Sequence, residues 1–590
     1  MLTPTSQTKR AHTFIELIPA LTAVLGAFAV LVATAYRLRF GLHFTDESCY
    51  IVRPFRSVLG DRPLVDDLDI KQPSTLLLYP FIALYLRLNA GTEGIVLFTR
   101  ILYLGYAVVI GLTVFSALKA RIPWIAALFT SLLCVAYTHF NIYNLSYNTM
   151  GSGFLVAGVF LGLRGLVEGG RQGRLYLALS GLAHGLAVVA YPPFAIVGLL
   201  FTVALARSAP VPKLSHLVAF GTGAGGVILV SSWFVLHAGI GNLVRAVEFS
   251  AAYHREWGSE AFGSMKKISL ILSQLRLTAP MAGCVGGALI AAVSSSRVLP
   301  SLSLCLAPLL VLLSFRSGLP DYYPVSVVPM GFVICFSLTA PVFAAALWND
   351  QFVRMAFSVG WLPSFVAGLL SAWTSTNGLP NAAVGLFPAT LVTCALVVLW
   401  ASQLAEATRF PSIRGLRVLA PVLAVACVVY SQYVGRAVYG DEPIPKLTAK
   451  VTTGPFRGIF TTPQKASLLE QLASDLPTVV NPAGRILAYP DFAAGYLMTT
   501  MRPASPHCWV GRTLARHPEW YGERASPSNV VVRLKNAGED LALLDKVVWR
   551  HHRVVIDRPD YYVLTGSPRR ARRASGPDQG ALGSGKYRGQ

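Results

Sequence analysis

Long apolar runs separated by short polar turns make up most of the chain. After Phe14 to Ala35 they recur at about 95–117, 122–138, 147–163, 175–190, 193–206, 214–237, 280–296, 298–314, 324–347, 354–373, 383–403 and 417–434. Crossing the roughly 30 Å hydrocarbon layer takes about 17 to 25 helical residues, so the pattern predicts about thirteen transmembrane helices. The first run lacks a small-residue cleavage site and reads as an anchor rather than a removed signal. Leu76 to Leu88 is treated differently. It is short, and Pro80 interrupts it, so it is read as a re-entrant or interfacial helix. With that choice Lys9, Arg10, Lys119, Arg121, Arg164, Arg171, Arg174, Arg207, Lys213, Arg297, Arg354, Arg409, Arg414 and Arg417 share one side. The opposite turns, around 141–146, 191–193 and 374–381, contain no Lys or Arg. Basic loops stay cytoplasmic, which places the N-terminus inside and the C-terminus outside.

Two longer segments then fall on the outer side. Residues 238–280 carry AAYHREWGSEAFGSMKK, a polar, aromatic loop predicted to hold a short surface helix. Beyond about residue 435, RILAYPDFAAGYL and NVVVRLKNAGEDLALLDKVVWRHHRVVIDRPDYYVLTG alternate strand-like and helix-like patterns. They predict a small extracytoplasmic α/β domain over 436–566, following a membrane domain over 1–435 whose first outer loop covers 37–94. From Ser567 the Gly, Ser and Arg content predicts a disordered basic tail, 567–590.

Composition narrows the class. With 54% hydrophobic and 13% charged residues and a mean hydropathy of +0.54, a water-soluble globule is excluded, because its surface needs about a quarter charged residues. The net charge of +22 could suggest nucleic acid, but the Lys and Arg lie scattered in short loops and the tail. They form no basic stripe with interleaved aromatics. The eight cysteines show no CxxC or Cys/His metal spacing. Six of them (Cys134, Cys284, Cys305, Cys335, Cys394 and Cys427) sit in apolar runs, whereas Cys49 and Cys508 fall in polar stretches and could pair on the outer face.

Candidate chemistry concentrates between Phe44 and Tyr79, where Asp46, Glu47, Asp61, Asp66, Asp67 and Asp69 cluster just past the first span. Carboxylates at a membrane edge must be hydrated, paired or bound to a ligand, and the plain alternative is a solvated acidic loop. A sugar transferase needs a carboxylate to take a proton from the acceptor and cations to stabilise the departing phosphate. Asp46 and Glu47 are candidates for the first task, with Asp66 and Asp67 next in line, and Tyr50 beside them is a candidate for binding substrate. Lys71 and Arg316 are candidates for the second, though Lys71 could equally pair with Asp69 and Arg316 mark a membrane edge. His254, Arg255 and Tyr323 lie in the other outer segments.

A cytoplasmic N-terminus and one span, followed by D-E-x-x-Y at Asp46, G-x-x-P at Gly60, the string of acids and KQPSTLLLY, together resemble the GT-C glycosyltransferases. The pattern is similar to bacterial membrane transferases of the protein O-mannosyltransferase and lipid A aminoarabinose transferase kind. The resemblance implies an α-helical polytopic enzyme of the bacterial inner (plasma) membrane with a C-terminal outer α/β domain. It also implies inverting transfer from a polyprenyl-phosphate sugar, itself a membrane lipid, to a protein, lipid or glycan at the outer face, with no nucleic acid involved. Asp46 or Glu47 would be the base or the ligand of a divalent metal ion. Where the family carries Lys-Pro-Pro or His-Pro-Pro this chain has Lys71-Gln72-Pro73-Ser74, so Lys71 or Gln72 would meet the donor phosphate. FRSGLPDYYP is similar to a later family segment and brings in Arg316 and Tyr323, although no Arg directly precedes Tyr322-Tyr323. A transporter or flippase of lipid-linked sugars would instead favour mid-membrane charges and paired repeats with broken helices, neither of which is evident. A non-catalytic cell-envelope scaffold would tolerate the loss of Asp46.

Overall fold

The computed structural model describes residues 6–69, 73–208, 214–256, 268–271, 327–375, 377–408, 416–433, 438–481, 483–509, 529–535 and 542–566. Among these residues, eight helical segments are long and apolar enough to cross a membrane: Ile18–Arg37, Ile95–Leu118, Tyr147–Glu168, Gly170–Ala190, Leu214–Ala238, Pro329–Ala346, Gln351–Thr374 and Leu379–Glu406. Three more predicted spans are present as shorter apolar helices, Trp124–Ala136, Pro192–Arg207 and Arg417–Tyr430. Prolines shorten the first two, since Pro123 caps one and Pro192-Pro193 open the other in a 3-10 turn. The predicted spans at 280–296 and 298–314 lie outside the described residues. The protein is therefore a polytopic α-helical membrane protein.

The first ten helices are α1 Ser6–Arg37, α2 Asp46–Val58, α3 Tyr79–Asn89, α4 Ile95–Leu118, α5 Trp124–Ala136, α6 Tyr147–Glu168, α7 Gly170–Ala190, α8 Ala195–Ser208, α9 Leu214–Ala238 and α10 Ile240–Glu256. Helices α1 and α9 turn Leu25, Phe28, Leu229 and Trp233 outward, the exposure expected of lipid-facing positions. The helix Ala382–Thr408 is instead enclosed by its neighbours, with Leu391, Leu396 and Val398 fully buried. Small residues allow the closest helix contact: a Cβ on Gly181 of α7 would lie 1.9 Å from the Phe220 carbonyl of α9.

The C-terminal part is the predicted α/β unit. Strands β3 Arg485–Tyr489, β4 Arg502–Pro503, β5 Val530–Leu534, β6 His552–Asp557 and β7 Tyr561–Gly566 form one mixed sheet in the order β4-β3-β5-β7-β6, while the short β1 Ala449–Lys450 and β2 Phe460–Thr461 pair separately. Strands β4, β3 and β5 run parallel, whereas β5, β7 and β6 are antiparallel. One apolar core joins this sheet to the loop that follows α1, with Cys49, Ile51, Val52 and Phe55 of α2 packed together with Ile486, Leu487 and Val531.

That shared core fixes the short helix α3. Its upstream flank meets the C-terminal unit where Asp69 contacts His507. Its downstream flank meets the same unit where Gly94 N–H donates to the Gly454 carbonyl at 3.0 Å and Glu93 pairs with Arg457. Both flanks of the segment therefore touch the same unit. Helix α10 follows α9 directly, packing Ala246 and Phe249 against Leu64 and Leu68 while Ile240, Val244 and Val247 remain exposed.

Candidate active site at the start of helix α2

Helix α2 begins at Asp46, and the local sequence explains why. Thr45 closes the first turn by accepting the Cys49 N–H at its carbonyl, 2.8 Å. The free N–H of Asp46 is capped by Nδ1 of His43, 2.8 Å away. An Nδ1 that accepts this bond leaves the imidazole proton on Nε2. Burial pushes the His43 pKa down against the opposing pull of Asp46 and Glu47, so the ring stays neutral near pH 7. Asp46 and Glu47 both sit in the first turn, where the helix dipole favours negative charge.

The two carboxylates then diverge. Glu47 is buried and grips Arg100 of α4 with both oxygens, each 2.6 Å from a guanidinium nitrogen. Arg100 also donates to the carbonyls of Leu38 and Gly41, so a charge placed inside an apolar helix is fully used at the loop. Asp46 remains 26% exposed at its side chain. Its Oδ2 accepts the hydroxyl of Tyr439, and His43 Nδ1 is 3.9 Å away. No Lys or Arg pairs with it among the described residues.

The other acids of the stretch are held by cations. Arg53 Nε donates to Asp67 at 3.1 Å and its Nη1 lies 3.6 Å from Asp69. Arg56, fully buried, donates to Asp61 at 2.8 Å and lies 3.8 Å from Asp67. Burial works against its charge, but the Asp67 and Asp61 carboxylates outweigh that and raise its pKa. From the C-terminal unit, Arg485 reaches Asp61 at 3.2 Å and lies 3.9 Å from Asp66, and His507 reaches Asp69 at 3.0 Å. Leu68 N–H donates to the Pro506 carbonyl at 2.9 Å. A disulfide joins Cys49 to Cys508, Cα to Cα 5.6 Å, three residues past Asp46. The acid string is thus a clasp between the loop that follows α1 and the C-terminal unit.

Near Asp46 the three turns without Lys or Arg come together. Tyr50 meets Tyr147 edge-on at 6.1 Å, Tyr147 stacks on Tyr191 at 6.0 Å, and the Tyr191 hydroxyl lies 3.2 Å from Thr374. His139 contacts Asn381 at 3.3 Å and stands 4.4 Å from Phe140, whose ring approaches Tyr439 at 5.9 Å. Asn141 and Asn148 are buried, with amide atoms that have no hydrogen-bond partner among the described residues. A cavity of about 30 Å³ lined by Tyr103, Tyr137, His139, Ser152 and Phe387 lies alongside. It has room for one or two waters and does not include Asp46.

The sequence candidates are therefore distributed as follows. Asp46, Glu47 and Tyr50 share α2. His254 and Arg255 are in the last turn of α10, with their side chains outside the described set. Lys71, Gln72, Arg316 and Tyr323 lie outside the described residues. For a shared divalent ion the first two acids fit poorly, since Glu47 already gives both oxygens to Arg100, and no trio of His, Cys, Asp or Glu stands close enough for a metal among the described residues. Sequence reasoning missed His43, Arg100 and Tyr439. Arg100 carried a signal, a guanidinium within an apolar run; Tyr439 carried none.

No family model and no curated protein matches the chain. Among solved structures, the Archaeoglobus fulgidus oligosaccharyltransferase AglB in complex with an inhibitory peptide and a dolichol-phosphate is similar at a TM-score of 0.45 and 14% identity, over 92% of this chain and 74% of that one. The Archaeoglobus fulgidus oligosaccharyltransferase tethered with an acceptor peptide containing the NVT sequon, and its apo form, each give 0.45 at 13% identity with the same coverage.

Proposed function

We propose that the protein transfers a glycosyl group from a polyprenyl-phosphate-linked donor to an acceptor at the outer face of the membrane, with Asp46 as general base. One observation carries the reading: of the seven acids in the predicted first outer loop, Asp46 is the one with no Lys or Arg partner among the described residues, and it lies beside the tyrosines Tyr439, Tyr50 and Tyr147. An unpaired, partly exposed carboxylate at a membrane edge is expensive unless a ligand uses it. Tyrosine faces and amide groups suit the CH faces and hydroxyls of a sugar.

In the proposed reaction Asp46 takes the proton of the acceptor hydroxyl or amine as that atom attacks the anomeric carbon. The bond from this carbon to the phosphate oxygen breaks, and polyprenyl phosphate leaves from the opposite side. Such opposed placement inverts the configuration. Glu47 orients the helix start through Arg100, and no step is routed through a metal. Lys71, Gln72, Arg316, Tyr323, His254 and Arg255 remain the proposed donor-side residues, from their place in the sequence.

The test uses purified full-length protein in lipid nanodiscs with a panel of undecaprenyl-phosphate-linked hexoses and a cell-envelope extract as acceptor, following release of undecaprenyl phosphate. Losing a general base typically costs about 10² to 10⁴ in rate. Asp46→Asn should fall by that order with unchanged melting temperature. Wild-type turnover in Asp46→Asn would sink the assignment, and movement of intact donor across vesicles without phosphate release would point to a transporter.

A further inference from the structure

We propose that Tyr439 is a positioning residue that holds the Asp46 carboxylate in its reactive orientation, an inference that rests on reading Asp46 as the base. Tyr439 lies 393 residues from Asp46 in sequence, yet its hydroxyl donates to Asp46 Oδ2. Its ring packs on His43 at 4.8 Å and on Phe140 at 5.9 Å. The same tyrosine therefore touches the base, the residue that caps the helix start and the turn that follows α5. Tyr439 is neutral, so it can fix the carboxylate without cancelling its charge as Arg100 does for Glu47.

The turn that carries Tyr439 is itself held in place. Asp441 accepts the Leu42 N–H at 3.0 Å, the Thr461 hydroxyl at 2.7 Å and Lys465 Nζ at 2.9 Å. Lys465 also donates to the Gly440 carbonyl at 2.8 Å. Gly440 adopts φ +67°, and a Cβ there would come within 1.7 Å of His43 Cδ2. A side chain at 440 would have to push the His43 ring away, so the absence of one lets this turn close on the helix start. The geometry makes the segment after the last predicted span a structural part of the site, and a base whose side-chain contacts converge on one oxygen, Oδ2, needs such support to be held to within a fraction of an ångström.

A double-mutant cycle separates positioning from bulk stability. Tyr439→Phe removes one oxygen and keeps the ring contacts. With the nanodisc assay, kcat should fall about tenfold with donor KM within twofold. In an Asp46→Asn background, assayed with excess enzyme over hours so that slow turnover is resolved, Tyr439→Phe should cause no further loss, because the group it orients is gone. Gly440→Ala, which keeps the hydroxyl but displaces the turn, should lower kcat in the same way. An equal Tyr439→Phe loss in both backgrounds, or no loss in the wild-type background, overturns the proposal. Full activity of Asp46→Asn alone overturns the functional reading instead, so the two failures are distinguishable.

Discussion

Glu47 gives both oxygens to Arg100, and both side chains are buried, so its role is read through stability rather than rate. Removing one partner of a buried ion pair leaves the other uncompensated and costs about 3 to 5 kcal/mol. Glu47→Gln should lower the melting temperature markedly, whereas Asp46→Asn, on a partly exposed side chain, should leave it near wild type. Equal melting temperatures for the two variants would contradict this division. His139 offers a second residue-level test. Burial lowers its pKa to about 4, against an ordinary value near 6.5, despite its bond to Asn381. Between those values the unfolded chain binds a proton that the folded one refuses. Stability is therefore full above about 6.5 and falls as pH drops toward 4, by at most about 1.4 kcal/mol per pH unit from this group. His139→Gln should flatten that part of the melting curve against pH, and an unchanged slope would count against it. The cluster of acids was legible in the sequence. Their partners were only half visible, because Arg53 and Arg56 lie in the same stretch but Arg485, His507 and Tyr439 are brought in by tertiary folding.

At the scale of elements, helix α2 is tied to the sheet unit by the disulfide, by Arg56 and Arg485 on Asp61, and by a common core. Replacing both Cys49 and Cys508 by Ser should lower thermal stability by roughly the 2 to 4 kcal/mol typical of a native disulfide. If the melting temperature does not move, the tie contributes nothing at equilibrium. The helix α3 tests a different property. Because its two flanks reach the same unit, a cysteine at the exposed Asn89 should react with an impermeant maleimide from the same side as one placed at Arg457. Opposite reactivities would mean that α3 crosses. Hydrophobic period predicted most helices, and length with Pro80 predicted that this one stays short; periodicity says nothing about which strands pair. The sheet order, with β5 between β3 and β7, emerged only from the structure.

Across the whole molecule the ends of the helices sort by charge. Lys119, Arg121, Arg164, Arg171, Arg174 and Arg354 lie at or near helix ends, with Arg121 resting 5.5 Å over the Phe352 ring. His139, Tyr191, Asn381 and Tyr439 lie at the ends nearer α2. A reporter joined after Gln590 should therefore be active outside the cytoplasm, and cytoplasmic activity would reverse the proposed orientation. The Cys49–Cys508 link adds a constraint of timing. The two cysteines are 459 positions apart, and at about 5 to 20 residues per second a ribosome needs roughly 20 to 90 s to go from one to the other. Throughout that interval Cys49 has no Cys508 to pair with while span after span is inserted, so maturation of the turn at Asp46 trails synthesis of nearly the whole polypeptide. A chain truncated before Cys508 should still label at Cys49 with maleimide, and the full-length chain should not.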